Sequence, residues 1–139
     1  MSPQVRKGTY VLFLRFSSPF EGEVGSLGIV RLEPGEYCYI GSAMGGLDQR
    51  LRRHLSKEKR IRWHIDRLTL AADSMEAYES YPDPVPECTL ARMAEDSGCT
   101  PASDGFGCSD CSCRTHLFSV DPGSKSELIK RASICQYSE

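Results

Sequence analysis

Apolar and polar positions fall into short stretches of contrasting period. Residues 9–16 are almost all β-branched, aromatic or aliphatic without polar alternation, the pattern of a strand buried on both faces. Residues 17–27 are rich in Ser, Glu and Gly and read as a long loop. Strands are then expected at 27–32 and 36–41, joined as a hairpin across Pro34-Gly35, where proline fixes φ and glycine accepts a positive one. If the second of these also pairs antiparallel with 9–16, it lies between the other two, and Tyr10 and Tyr39 share one sheet edge. Gly45-Gly46 precedes a helix over 47–56 with Leu47, Leu51 and Leu55 as its inward stripe. Arg50 and His54 lie one turn apart at the border of that stripe, whereas Arg52 and Arg53 point away. A second helix over 62–72 carries Trp63, Ile65 and Leu68, and residues 74–81 form a weaker strand pattern. Prolines 82, 84 and 86 force an extended approach to a third helix that begins at Glu87 and fades by Ser97-Gly98. Residues 99–112 read as loop, 115–120 as strand and 125–132 as a short helix. Neither a repeat nor a linker interrupts the chain, so residues 1–139 are expected to form one domain.

With 139 residues, 40% of them hydrophobic and 26% charged, the chain has the size and balance for one core. The apolar run at 10–14 is closed off by Arg15, so neither a membrane span nor a signal peptide is expected. Seven cysteines, an odd number without a secretory segment before them, fit thiols in a reducing cytoplasm better than a disulfide framework. The net charge of −2 hides a contrast, because Arg50 to Arg62 holds seven basic residues and one acid. That block is either a solvated helix face or a phosphate-contacting surface. On the second reading Arg53, Lys57, Lys59, Arg60 and Arg62 are candidate substrate contacts.

Three segments sharpen the choice. Gly8-Thr9-Tyr10, Tyr39-Ile40-Gly41 and the run from Gly41-Ser42-Ala43 through Leu47 to Arg50 resemble the GIY-YIG nuclease superfamily. Gly46-Leu47, Arg53-His54, Trp63-His64-Ile65-Asp66, Glu87-Cys88 and the run from Phe106-Gly107 through Ser109-Asp110-Cys111 to His116-Leu117-Phe118 resemble its branch called Uri superfamily endonucleases. The order and spacing of these short motifs carry the resemblance over residues 8–118. It implies an α/β (α+β) fold, a three-stranded antiparallel sheet flanked by helices, and metal-dependent hydrolysis of phosphodiester bonds in DNA or another nucleic acid. It also implies that Arg50 stabilises the attacked phosphate, that His54 assists, and that Glu87 holds Mg²⁺ or Mn²⁺. Two features depart from the wider superfamily. As many as 28 residues separate Tyr10 from Tyr39, and the asparagine that ends the motif series has no clear counterpart, Ser109-Asp110 standing in its region.

The chemistry has its own logic. Phosphodiester hydrolysis needs an activated water, neutralisation of charge on the pentavalent transition state and help for the leaving oxygen. A tyrosine of pKa about 10 is only about one part in a thousand ionised at pH 7. Tyr10 or Tyr39 can therefore act as general base only beside a cation, and the residues do not choose between them. Glu87 heads the stripe of Leu90, Ala91 and Ala94, where an inward carboxylate needs a hard cation. In the bland alternative it complements the helix dipole. His64 and Asp66 are expected to be structural, with a role near the site as the lesser alternative.

A thiol-rich segment remains. Cys111, Cys113 and His116, completed by Cys88, form a candidate zinc set, whereas the imperfect spacing also suits buried thiols beside an active-site loop. The nuclease reading thus stands against two rivals, a nucleic-acid-binding module of the same fold without turnover and a zinc-stabilised interaction protein.

Overall fold

Strand β1 (Gly8–Phe16) runs through the middle of the protein, which accounts for its unbroken apolar run from Tyr10 to Leu14. Tyr10, Leu12, Leu14 and Phe16 enter one core cluster, while Val11 and Phe13 enter a second on the opposite face. Side chains alternate across a strand, so one covered on both faces leaves no polar positions. The computed structural model describes residues 5–108 and 113–137.

Along the chain follow β2 (Phe20–Glu23), β3 (Ile29–Leu32), β4 (Gly35–Ala43), α1 (Leu47–Leu55), α2 (His64–Ala71), β5 (Ser74–Ser80), α3 (Glu87–Asp96), β6 (Thr100–Pro101), β7 (Leu117–Val120), α4 (Pro122–Ala132) and β8 (Cys135–Gln136). Six strands build the main sheet in the order β6-β7-β4-β1-β5-β8, with antiparallel pairing throughout. The fold is mixed α/β, with four helices among the described residues.

The expected three-stranded sheet is too small, and the expected hairpin between 27–32 and 36–41 does not form. The free edge of β4 is taken instead by β7, which pairs Leu117 with Tyr39 and Val120 with Glu36. Strand β3 turns back on β2, in the stretch expected to be loop, and the two make a separate ribbon. On the far side β5 pairs along β1 from Thr9 to Arg15. The pairing of β1 with β4 does form as expected.

Two layers of helix cover the sheet. Leu47 and Leu51 of α1, Ile65 and Leu68 of α2, and Val30 and Leu32 of the ribbon pack against the Tyr10 face. Leu90, Ala91 and Ala94 of α3 and Leu128 of α4 pack against Phe13, Ile40 and Phe118 on the other face. The stripes expected from helical spacing are thus the buried faces of α1 and α3. No helix among the described residues is long and apolar enough to cross a membrane.

Candidate active site

A cleft of about 570 Å³ opens where the ends of β1 and β4 meet α1, α2 and the first turn of α3. In the β1–β4 register Tyr10 lies opposite Gly41 and Tyr39 opposite Leu12. The two tyrosines are therefore diagonal neighbours on one face, with ring centroids 6.5 Å apart. Gly41 is required here, because a Cβ at this position would collide with the Tyr10 hydroxyl. Burial raises the Tyr10 pKa to about 12 against the pull of Arg50, and burial raises that of Tyr39 as well, with Tyr10 and Glu87 adding to the rise.

Helix α1 places two side chains on this face. His54 is buried, and its Nε2 lies 2.8 Å from the Tyr10 hydroxyl. Its Nδ1 is buried without a hydrogen-bond partner among the described residues. A buried N–H without an acceptor is rarer than a lone pair without a donor, so we assign the tautomer in which Nε2–H donates to Tyr10. Burial, followed by the charges of Lys59, Arg50 and Arg53, lowers the His54 pKa to about 3, although Asp66 opposes this. The ring is therefore neutral at physiological pH. Arg50, one turn earlier, donates from Nη1 to the Ser42 carbonyl at 3.1 Å.

The single tryptophan organises the cations. The guanidinium carbons of Arg50, Arg53 and Arg62 lie 4.4, 4.3 and 5.2 Å from the centre of a Trp63 ring. These are cation–π distances. The sequence places Trp63 on the second helix and in the motif Trp63-His64-Ile65-Asp66, without assigning it contacts to the arginines. A lone tryptophan inside a run of arginines was the available signal for this role.

Much of the basic block is engaged within the protein. Lys57 donates to the carbonyls of Thr69 and Ala72 at 2.6 and 2.7 Å, which caps the end of α2. Lys59 donates to the carbonyls of Arg53 and His54 at 3.0 and 2.9 Å and caps α1, and burial lowers its pKa to about 8. Arg53, expected to point away, instead grips both oxygens of buried Asp66 at 2.8 Å. Arg60 and Arg62 are exposed, and Arg62 lines the cleft.

Asp66 is structural, as expected. It is fully buried and accepts from the backbone N–H groups of Arg62 and Trp63 at 2.8 and 2.9 Å. Burial alone would raise its pKa, but Arg53 and these N–H groups hold it down to about 2. Asp66→Ala leaves a half-buried guanidinium and two N–H groups without their acceptor. Loss of a buried pair by truncation costs about 3–5 kcal/mol, and urea unfolding is expected to read a destabilisation of that order.

His54 sets a second stability term. An unfolded histidine binds its proton near pH 6.5, and folded His54 does so only near pH 3. Between these values the unfolded state holds one more proton, so this contribution is complete above pH 6.5 and declines as pH falls towards 3. From pH 6.5 to 4 the loss is about 3 kcal/mol. His54→Gln should flatten this slope in pH-dependent urea titrations.

The remaining wall comes from α3, from the loop before β7 and from the ribbon. Glu87, in the first turn of α3, is one-third exposed, and its Oε1 lies 3.9 Å from Nδ1 of buried His116. It is the carboxylate among the described lining residues of the cleft. Burial lowers the His116 pKa. Cys88, Cys113 and His116 each offer a donor atom within 4.8 Å of the others. This is a possible metal-binding group and contains three members of the expected zinc set. The fourth, Cys111, lies outside the described residues, as does Ser109-Asp110. Ser26 and Leu27, from the segment between the tyrosine motifs, also line the cleft, as does His64. The approach of Ser26 and Leu27 depends on contacts far apart in sequence and left no local signal, whereas His64 belongs to a motif of the sequence reading.

Comparison with curated proteins and with solved structures yields no match. The family described as Domain of unknown function DUF123 matches residues 9–136. That span includes Tyr10, the Tyr39-Ile40-Gly41 motif, all four helices of the described residues, Cys88, Cys113 and His116. The chain belongs to this family, the domain of unknown function DUF123.

Proposed function

We propose that the protein is a metal-dependent endonuclease of the GIY-YIG type, hydrolysing phosphodiester bonds in DNA. One observation carries this reading. Tyr10 of β1, Tyr39 of β4, Arg50 and His54 of α1 and Glu87 of α3 line a single cleft although they come from four separate elements.

The cleft has the parts that the reaction needs. Arg50 is anchored to the Ser42 carbonyl and backed by Trp63, so its remaining N–H donors can be held towards a phosphate. Exposed Arg62 adds a second cation on the same side. A phosphate seated between them gains stabilisation as negative charge grows on its oxygens.

Tyr10 is the better supported base. Its oxygen accepts from His54 Nε2–H at 2.8 Å, a bond that strengthens as the phenolate forms. With a pKa of about 12, half ionisation at pH 7 requires about 7 kcal/mol of added stabilisation. Arg50 already acts in that direction. Tyr39 packs edge-on against Phe106 and suits a positioning role.

Glu87 fits a hard divalent ion, because one carboxylate in an open cleft suits Mg²⁺ or Mn²⁺ that keeps most of its water. Such an ion supplies charge neutralisation at the phosphate and lowers the pKa of groups beside it. The binding-module rival has less support, since Arg53, Lys57 and Lys59 serve Asp66 and the helix ends.

Supercoiled, linear, branched and single-stranded DNA, with RNA alongside, should be incubated with the protein in Mg²⁺ or Mn²⁺. Cleavage of at least one DNA form, abolished by a chelator, is expected. Intact binding without cleavage of any DNA or RNA substrate rules the enzyme out in favour of the module.

A further inference from the structure

The thiol group beside Glu87 remains outside the proposed reaction. Cys88 follows Glu87 in the first turn of α3, whereas Cys113 and His116 lie 25 or more residues later, before β7. The fold brings their three donor atoms to within 4.8 Å of one another. A tetrahedral ion with bonds of about 2.0–2.3 Å holds its donors roughly 3.5–3.8 Å apart, so an inward shift of at most about 1 Å closes the set.

Two of these donors stand on rigid supports. The backbone of His116 is fastened on both sides, donating to the Phe106 carbonyl at 2.8 Å and accepting from Ile40 N–H at 3.0 Å. Cys88 is held by α3, whose first backbone bond joins Leu90 N–H to the Pro86 carbonyl at 2.9 Å. Gly107, which precedes His116 in the chain, is closely packed. Gly107 has a φ of +73°, and a Cβ there would press on both Tyr39 and His116 at 3.1 and 3.2 Å.

We propose that Cys88, Cys113 and His116 bind a structural Zn²⁺ that ties the loop before β7 to the first turn of α3 and so positions Glu87 at the cleft. Two thiolates and an imidazole are a soft to borderline donor set, which selects Zn²⁺ over the Mg²⁺ or Mn²⁺ that suits a carboxylate. Binding replaces the two thiol protons with metal–sulfur bonds and releases both protons to solvent. The fourth position of the tetrahedron is left for water or a further donor. This site is chemically distinct from the catalytic ion at Glu87, and its occupancy does not depend on whether the protein cleaves DNA.

The test is metal content. The full chain, purified under reducing conditions and washed with a mild chelator, is expected to retain about one zinc per chain by atomic emission. Cys88→Ser, Cys113→Ser and His116→Asn should each lose most of it, and Cys135→Ser, at an exposed cysteine in β8, should not. Titrating metal-stripped wild type with Co²⁺ provides a measurement that needs no variant. Thiolate-to-cobalt charge transfer with intense tetrahedral d–d bands is expected. Weak octahedral bands alone, zinc far below stoichiometry even after reconstitution with Zn²⁺, or a Cys88–Cys113 disulfide in the protein purified under these conditions would overturn the proposal.

Discussion

Replacing Arg50 with alanine is expected to slow metal-dependent DNA cleavage by about 10²–10³-fold, the usual loss when one preorganised donor to a transition-state oxyanion is removed. The basis is position. Arg50 is held by the Ser42 carbonyl at 3.1 Å and by Trp63 at 4.4 Å, and no carboxylate hydrogen-bonds to it among the described residues. Its charge also moderates the rise in Tyr10 pKa, so the same substitution should move the ascending limb of the pH–rate profile, which ionisation of the base sets, to higher pH. Arg50→Lys keeps the charge but loses the planar fork, and should recover only part of the rate. Stability should change by less than about 1 kcal/mol, because the half-buried side chain gives up only a modest net hydrogen bond. A rate within a few-fold of wild type in the alanine variant would remove Arg50 from the chemistry.

Glu87→Gln is expected to have an effect of similar or greater size. Loss of a bound ion's charge stabilisation amounts to several kcal/mol, and each 1.36 kcal/mol is tenfold in rate. Cleavage should therefore fall by about 10³-fold, with more Mg²⁺ or Mn²⁺ needed to reach half of what remains. The alternative is that Glu87 only complements the dipole at the start of α3. That role accounts for about 0.3–1 kcal/mol of stability and no rate at all. Rate and melting temperature measured on one preparation separate the two. Unchanged cleavage with a small drop in melting temperature would leave Glu87 purely structural. Zinc content should be retained in this variant, which distinguishes loss of the catalytic ion from collapse of the neighbouring thiol site.

Several features of the site were legible from residue order. Leu47 and Leu51 orient α1, and their spacing brings Arg50 and His54 to the side that faces the sheet. The apolar run of β1 announced a strand covered on both faces, and the stripe of Leu90, Ala91 and Ala94 set the face of α3 at whose head Glu87 stands. These patterns arise from side-chain periodicity within one element and need no partner to be read. The fate of the basic block was not legible. Lys57 reaches carbonyls 12 to 15 residues ahead, and Arg53 reaches Asp66 13 residues on. A charge that caps a helix end and one that waits for phosphate look alike until the chain turn between them is known. His54 shows the same limit, since its neutrality follows from burial and from cations on three other residues.

By itself, then, the sequence determined the longer elements, their buried faces and the residue types available for phosphate chemistry, because local periodicity and backbone preference act within a few residues, whereas the short strands β2, β6 and β8 left no such pattern. Only the tertiary structure decided which strands flank the β1–β4 pair. β4 gives its outer edge to β7, about 80 residues later, and β3 turns to β2 instead. Backbone hydrogen-bonding groups are the same at every edge, so the choice rests on which faces can be buried together. The same long-range packing brought Glu87 to the tyrosines and Cys88 to Cys113 and His116. The cleft and the thiol site are thus products of one topology.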